Sequence, residues 1–196
     1  VPVDDWDRAC ESIAPRTVSR SIRGEPALLR ECAAGLNPAV RPLIVVGASA
    51  ARDGAWDETI ALAERHRAPV WVSPMSSRNS FPENHPLFAG FLPADRARIV
   101  THLSGHDFVL VLGAPVFTYH VEGAGPHVPL GATLFQLTDV PSMAAWSPTG
   151  TSIFTGLKSG IAELLEQAKP RERLAPTVPA RAPRLPRTRL TDAYLM

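Results

Sequence analysis

At 196 residues the chain suits one domain with extensions or two small ones, and its 45% apolar content is enough to bury a sizeable core. A formal net charge of +1 argues for neither nucleic acid nor an anionic membrane surface as partner, and no stretch approaches the ~20 apolar residues of a membrane helix. The average conceals a split, since residues 1–168 carry 13 Lys/Arg against 17 Asp/Glu while residues 169–196 carry 7 against 2.

Residues 1–26 show no sustained helical or strand period, and Val1-Pro2-Val3 is held extended by proline geometry. They are expected to be a connector from an upstream domain, in a chain read as a segment of a longer polypeptide. Residues 27–36 have helical spacing, with Leu28, Leu29, Cys32, Ala33 and Leu36 on one face, and Asn37-Pro38 stops them. Residues 42–47 (Pro-Leu-Ile-Val-Val-Gly) read as a buried strand, and Gly47-Ala48-Ser49-Ala50-Ala51 as the turn that follows. Residues 56–66 are expected to be a helix with Trp56, Ile60 and Ala63 facing inward, and Val70-Trp71-Val72 the next strand. Together they make a βαβ unit on a parallel sheet.

Residues 73–93, with Pro74, Pro82, Pro86 and Pro93, read as a long functional or surface-wrapping loop. A helix over 94–103 is broken by Ser104-Gly105-His106. Phe108 to Leu112 is an unbroken apolar run closed by Gly113-Ala114-Pro115, as expected of a strand buried on both faces of a parallel sheet. An irregular segment follows at 120–131, then strands at 133–138 and 152–154, and an amphipathic helix over 156–167 with Leu157, Ile161, Leu164 and Leu165 inward. The pattern predicts an α/β domain over residues 27–168, a five- or six-stranded parallel sheet with helices on both faces. Residues 169–188, where Pro alternates with Ala and Arg, read as an extended linker that builds no core. Residues 189–196, with Thr191 as a candidate N-cap, look like the start of a downstream domain.

Few residues offer chemistry. Of the 20 basic residues 18 are arginine, a bias fitting a GC-rich genome and weak as a phosphate signal. Cys10 and Cys32 lack metal-ligand spacing, so two free thiols in a reducing cytoplasm are expected, with a Cys10–Cys32 disulfide as the alternative. No signal peptide pattern opens the chain. Gly47-Ala48-Ser49-Ala50-Ala51 lies where a dinucleotide fold places its phosphate loop but meets only the first glycine of that fingerprint. Gly123-Ala124-Gly125-Pro126 lacks the helix that should follow a phosphate loop. His66 and His102 sit near helix C-termini, where an imidazolium suits the dipole. His102 and His106 are four apart, but the helix breaks between them, and no HExxH motif exists, so no metal site is predicted. His85 lies in the proline-bearing loop. His120 and His127 remain, in a glycine-loosened segment at the carboxyl end of a strand, where open α/β sheets collect ligands. His120 is the residue singled out for catalysis, with an exposed loop histidine as the alternative.

Gly-Ala-Pro-Val-Phe-Thr-Tyr-His (113–120), Phe-Pro-Glu-Asn-His-Pro-Leu-Phe-Ala-Gly (81–90) and Ala-Pro-Val-Trp-Val-Ser-Pro (68–74), with Val-Pro-Val-Asp-Asp-Trp-Asp at the start, form an ordered set. The set resembles the central domain of thiamine diphosphate-dependent decarboxylases, most nearly the benzoylformate decarboxylase group. The resemblance runs in register to about residue 167. It implies pyrimidine-binding and diphosphate-binding domains in the same enzyme, and a homodimer or homotetramer with active sites between subunits. It also implies thiamine diphosphate and Mg²⁺ in the full enzyme, none of it held by this segment. His120 matches the histidine that such enzymes send from this domain into the active site. It would then be a general acid/base moving a proton at the cofactor–substrate adduct after CO₂ leaves, a role suited to imidazole. Thr118 and residues 121–125 depart from the family pattern. The alternative is an FAD- or ADP-binding regulatory or structural domain of an acetolactate synthase-like enzyme, and a scaffold without chemistry is the third reading.

Overall fold

The computed structural model describes residues 9, 12–19, 21–120 and 122–179. The candidate N-cap Thr191, the expectations for residues 180–196, Cys10 and the opening Val-Pro-Val lie outside the described residues. Six strands form one sheet: β1 (Pro42–Val46), β2 (Val70–Val72), β3 (Phe88–Phe91), β4 (Phe108–Leu112), β5 (Thr133–Thr138) and β6 (Thr151–Phe154). All neighbours are parallel, in the order β3-β2-β1-β4-β5-β6. The parallel α/β class expected from the alternation of helix and apolar run is the one observed, with the larger strand number.

The central strands β1 and β4 are buried at every residue, and their side chains divide by parity. Ile44, Val46, Phe108, Leu110 and Leu112 face one core, while Leu43, Val45, Val109 and Val111 face the other. Three helices cover the first face: α1 (Pro26–Leu36), α3 (Trp56–His66) and α6 (Leu157–Glu166). Helix α1 starts at Glu25, whose side chain accepts from the Ala27 amide. It buries Leu29, Cys32, Ala33 and Leu36 as its spacing predicted, with Leu28 only partly buried. In α3 the buried stripe is Thr59, Leu62, Ala63 and His66. Trp56, read as inward, opens the helix and remains 37% exposed.

Among the described residues the second face carries one regular helix, α4 (Arg96–Leu103), which contributes Ile99 and Leu103 after an N-cap at Asp95. The described residues of the crossover from β4 to β5 form no helix. Ala114, Val116, Phe117 and Val128 from this irregular crossover are buried against the sheet instead, so backbone without a regular ladder serves as the covering layer.

Three local elements were not legible in the sequence. The 73–93 stretch, read as loop, contains edge strand β3, paired to β2 with a register shift between Val70 and Trp71. The turn after β1 is a short helix, α2 (Ala48–Arg52), and a single helical turn, α5 (Pro141–Ala145), follows β5.

The described part of the stretch expected to be a linker, residues 169–179, has no regular structure yet is tied to the amino edge of the sheet. Asn37 Oδ1 accepts from the Lys169 amide at 2.9 Å, and Asn37 O from the Arg171 amide at 3.0 Å. The Arg173 side chain, 8% exposed, donates to Leu36 O (2.8 Å), Asn37 O (2.9 Å), Ala39 O (2.8 Å) and His66 O (3.3 Å). These include carbonyls left over at the C-termini of α1 and α3. One guanidinium therefore closes two helix ends at once.

Candidate functional site

Strands β1 and β4 end side by side at the carboxyl edge, where the chain order reverses. Open α/β sheets place ligands at this position. Gly47 donates to Leu112 O at 2.9 Å and Ser49 to Gly113 O at 3.2 Å, drawing the two turns together. A Cβ on Gly47 would lie 2.5 Å from Ala114 Cβ and 2.6 Å from Gly113 O. The remaining crevice measures about 190 Å³ and is lined by Gly47, Ser49, Arg52, Gly113, Thr118 and Met143. Ligand pockets usually run about 300–1,000 Å³. Arg52 is turned to Ser49 Oγ (2.5 Å) and Asp139 (3.5 Å). The crevice offers backbone amides already used within the fold and little room for a nucleotide.

From Gly113, in the left-handed region at φ +65°, the chain runs outward through the buried Ala114, Val116 and Phe117. Gln136, itself buried, donates to Ala114 O at 2.8 Å and anchors this descent. Thr118 and Tyr119 are half-buried and His120 is exposed. The His120 amide donates to Ala94 O at 3.0 Å. Among the described residues no side chain is hydrogen-bonded to its imidazole. The residues just before it, Phe117, Thr118 and Tyr119, line an open cleft of about 650 Å³ together with Glu122, Met143 and Trp146. Trp146 is 85% exposed.

His127 does not join His120. Its Nδ1 lies 2.8 Å from Tyr119 Oη, and the Arg96 guanidinium carbon sits 5.2 Å from the centre of the Tyr119 ring. Arg96, only 8% exposed, donates to Glu122 Oε1 at 2.6 Å and Gly125 O at 3.0 Å. Burial lowers the His127 pKa, the Arg96 charge adds to that, and Glu122 works against it. For Tyr119, burial raises the pKa and Arg96 pulls against it. Sequence spacing gave no sign of this cluster, because Arg96 opens a helix while its partners lie across a glycine-rich loop.

The other histidines are structural. His66 is 1% exposed and its pKa is lowered to about 4, by burial first and then by the Arg173 and Arg65 charges. It is neutral at ordinary pH, so the reading of His66 as an imidazolium on a helix dipole does not hold. His102 packs on Trp71 with centroids 4.8 Å apart, His85 lies 3.2 Å from Glu64, and His106 Nδ1 is 3.0 Å from Arg41 O. Cys32 is a free, buried thiol whose pKa is raised to about 12 by burial and then by Glu31. Among the described residues no three His, Cys, Asp or Glu side chains converge as a metal site, and no helix is long and apolar enough to cross a membrane.

The chain is thus a six-stranded parallel α/β domain with a narrow crevice at its switch point and an exposed imidazole on the irregular crossover. The model of the thiamine pyrophosphate enzyme central domain matches residues 29–147, and the chain belongs to that family. It is 39% identical over 189 residues to the benzoylformate decarboxylase of Pseudomonas aeruginosa, covering 94% of this chain and 36% of that protein. The crystal structure of benzoylformate decarboxylase from Polynucleobacter necessarius superposes with a TM-score of 0.83 at 36% identity, over 99% of this chain and 37% of that one. The thiamine diphosphate-dependent 4-hydroxybenzoylformate decarboxylase of Rhodococcus jostii RHA1 gives 0.77 at 32% identity, over 97% and 36%. The chain spans about a third of the length of these relatives.

Proposed function

We propose that this chain is the central domain of a thiamine diphosphate-dependent 2-oxo acid decarboxylase of the benzoylformate decarboxylase kind, to which it lends His120. The observation that carries this reading is the exposed imidazole at the end of a buried, anchored segment. A histidine kept for packing would turn inward, as His66 does. Thiamine diphosphate and Mg²⁺ would be held by pyrimidine-binding and diphosphate-binding domains of the same enzyme, assembled as a homodimer or homotetramer, and the cofactor would supply the carbanion chemistry. On this reading residues 1–26 connect to the upstream domain, residues 27–168 form the central domain, residues 169–188 link onward, and residues 189–196 begin the downstream domain. His120 serves as a general acid/base, the role for which imidazole is the side chain most often used.

The test is decarboxylation of aromatic 2-oxo acids by the full-length enzyme and its His120→Ala variant. Loss of general acid/base help is expected to lower kcat about 10²–10⁴-fold. An unchanged kcat would remove His120 from the reaction.

A further inference from the structure

We propose that Arg96 is the positioning residue of His120, gripping the crossover on both sides of that histidine. This rests on the acid/base reading of His120. On the upstream side the guanidinium lies against the Tyr119 ring, one residue before His120. On the downstream side its two arms reach Glu122 Oε1 and Gly125 O. The Tyr119–His127 hydrogen bond ties the outgoing strand of the loop to the returning one. The His120 amide is meanwhile fixed to Ala94 O, two residues before Arg96 and next to the Asp95 N-cap.

These contacts share one base, the first turn of α4. That turn is fixed in its own right, because Asp95 accepts from the Arg98 amide at 2.9 Å, and Ile99 and Leu103 of the same helix are buried in the core. The crossover has no helical ladder, and Gly123 and Gly125 adopt positive φ, so its local backbone has little stiffness of its own. A buried two-armed cation supplies that stiffness, and lysine could not, because it is a point donor without the planar fork. Arg96 acts on the reaction through the direction in which His120 points.

Two measurements test the assignment. Arg96→Ala is expected to fold, since the Glu122 side chain is 74% exposed and the Gly125 carbonyl can turn to water, so no charge is stranded. Arg96→Lys is the companion variant, keeping the charge and most of the packed stem. In the 196-residue chain, the His120 amide of Arg96→Ala, bonded to Ala94 O, should exchange hydrogen at least ~10-fold faster, with β4 amides unchanged. Arg96→Lys should fall between it and the unaltered chain. An unchanged His120 exchange rate would overturn the clamp. In the full-length enzyme, Arg96→Ala should lower kcat about 10–100-fold with KM held within about twofold. Added to His120→Ala, it should cost nothing more, because the group it positions is gone. Losses that multiply would overturn the positioning role. If His120→Ala keeps full kcat, the acid/base reading falls and the positioning role falls with it, while the exchange measurement alone still decides whether the clamp exists.

Discussion

Replacing Arg173 by methionine keeps the apolar stem and removes the guanidinium, which makes it a clean probe of the amino edge. Its donors serve four carbonyls, of which those of Leu36, Ala39 and His66 are buried. Hydrogen bonds from a charged donor contribute about 1.5–3 kcal/mol each, and only the two short buried ones, at 2.8 Å, warrant the full value. Against their sum stand the desolvation cost of the guanidinium and the ordering of residues 169–179, both recovered on substitution. A net loss of about 3 kcal/mol is expected, within the range for removing one partner of a buried charged network. Urea unfolding followed by circular dichroism would read it as a lowered midpoint. The slope should also fall, because a detached segment already exposes its surface in the folded state. Arg173→Lys should recover part of the loss. A loss below about 1 kcal/mol with an unchanged slope, as for an ordinary surface change, would refute the idea that one arginine closes both helix ends.

His66 is expected to dominate the acid sensitivity of the fold. Its folded pKa, lowered to about 4, lies below the ordinary 6.5, so the unfolded chain binds the proton first. The stability linked to this group is complete above pH 6.5 and declines as pH falls toward 4, by at most about 3 kcal/mol. His66→Met should flatten the stability-versus-pH curve in that window, and a curve unaltered between pH 6.5 and 4 would exclude the role. Gly47→Ala places a Cβ against backbone at Gly113 and the methyl of Ala114. It should cost about 1–3 kcal/mol by thermal unfolding, and an unchanged Tm would mean that the crevice between β1 and β4 opens easily.

Where hydrophobic period or an unbroken apolar run governed the structure, the chain could be read directly, as for β1, β4, α1 and α6. Strand β3 escaped because Phe88-Ala89-Gly90-Phe91 lacks β-branched residues, and Gly90 adopts φ +122° beside a register shift. It pairs as an edge strand because β2 is already in place. Trp56 was misassigned because the inward stripe of α3 is set by Thr59, Leu62, Ala63 and His66, and a residue at the helix start lies beyond its reach. The placement of His120 at the carboxyl edge was legible, since strand and turn signals locate it. The arginines that hold the domain together were not. Arg173 lies in a stretch whose composition says linker, and Arg96 meets its partners only through the third dimension. Neither spacing nor composition encodes where a guanidinium finds its carbonyls.

The missing helix between β4 and β5 carries a consequence for how such a domain can change. A helix in that place would have to keep its register, since one inserted residue turns every later side chain by about 100°. The crossover here meets the sheet at a few apolar points, Ala114, Val116, Phe117 and Val128, and between them it is held by side-chain contacts of Arg96 and Tyr119 rather than by a helical ladder. Lengthening such a span costs only about 0.6 kcal/mol per doubling. Residues of the crossover outside those contacts can therefore be exchanged, inserted or lost while the strands stay as they are. The domain is built so that the outward part answers to a few side-chain contacts and not to the register of the core.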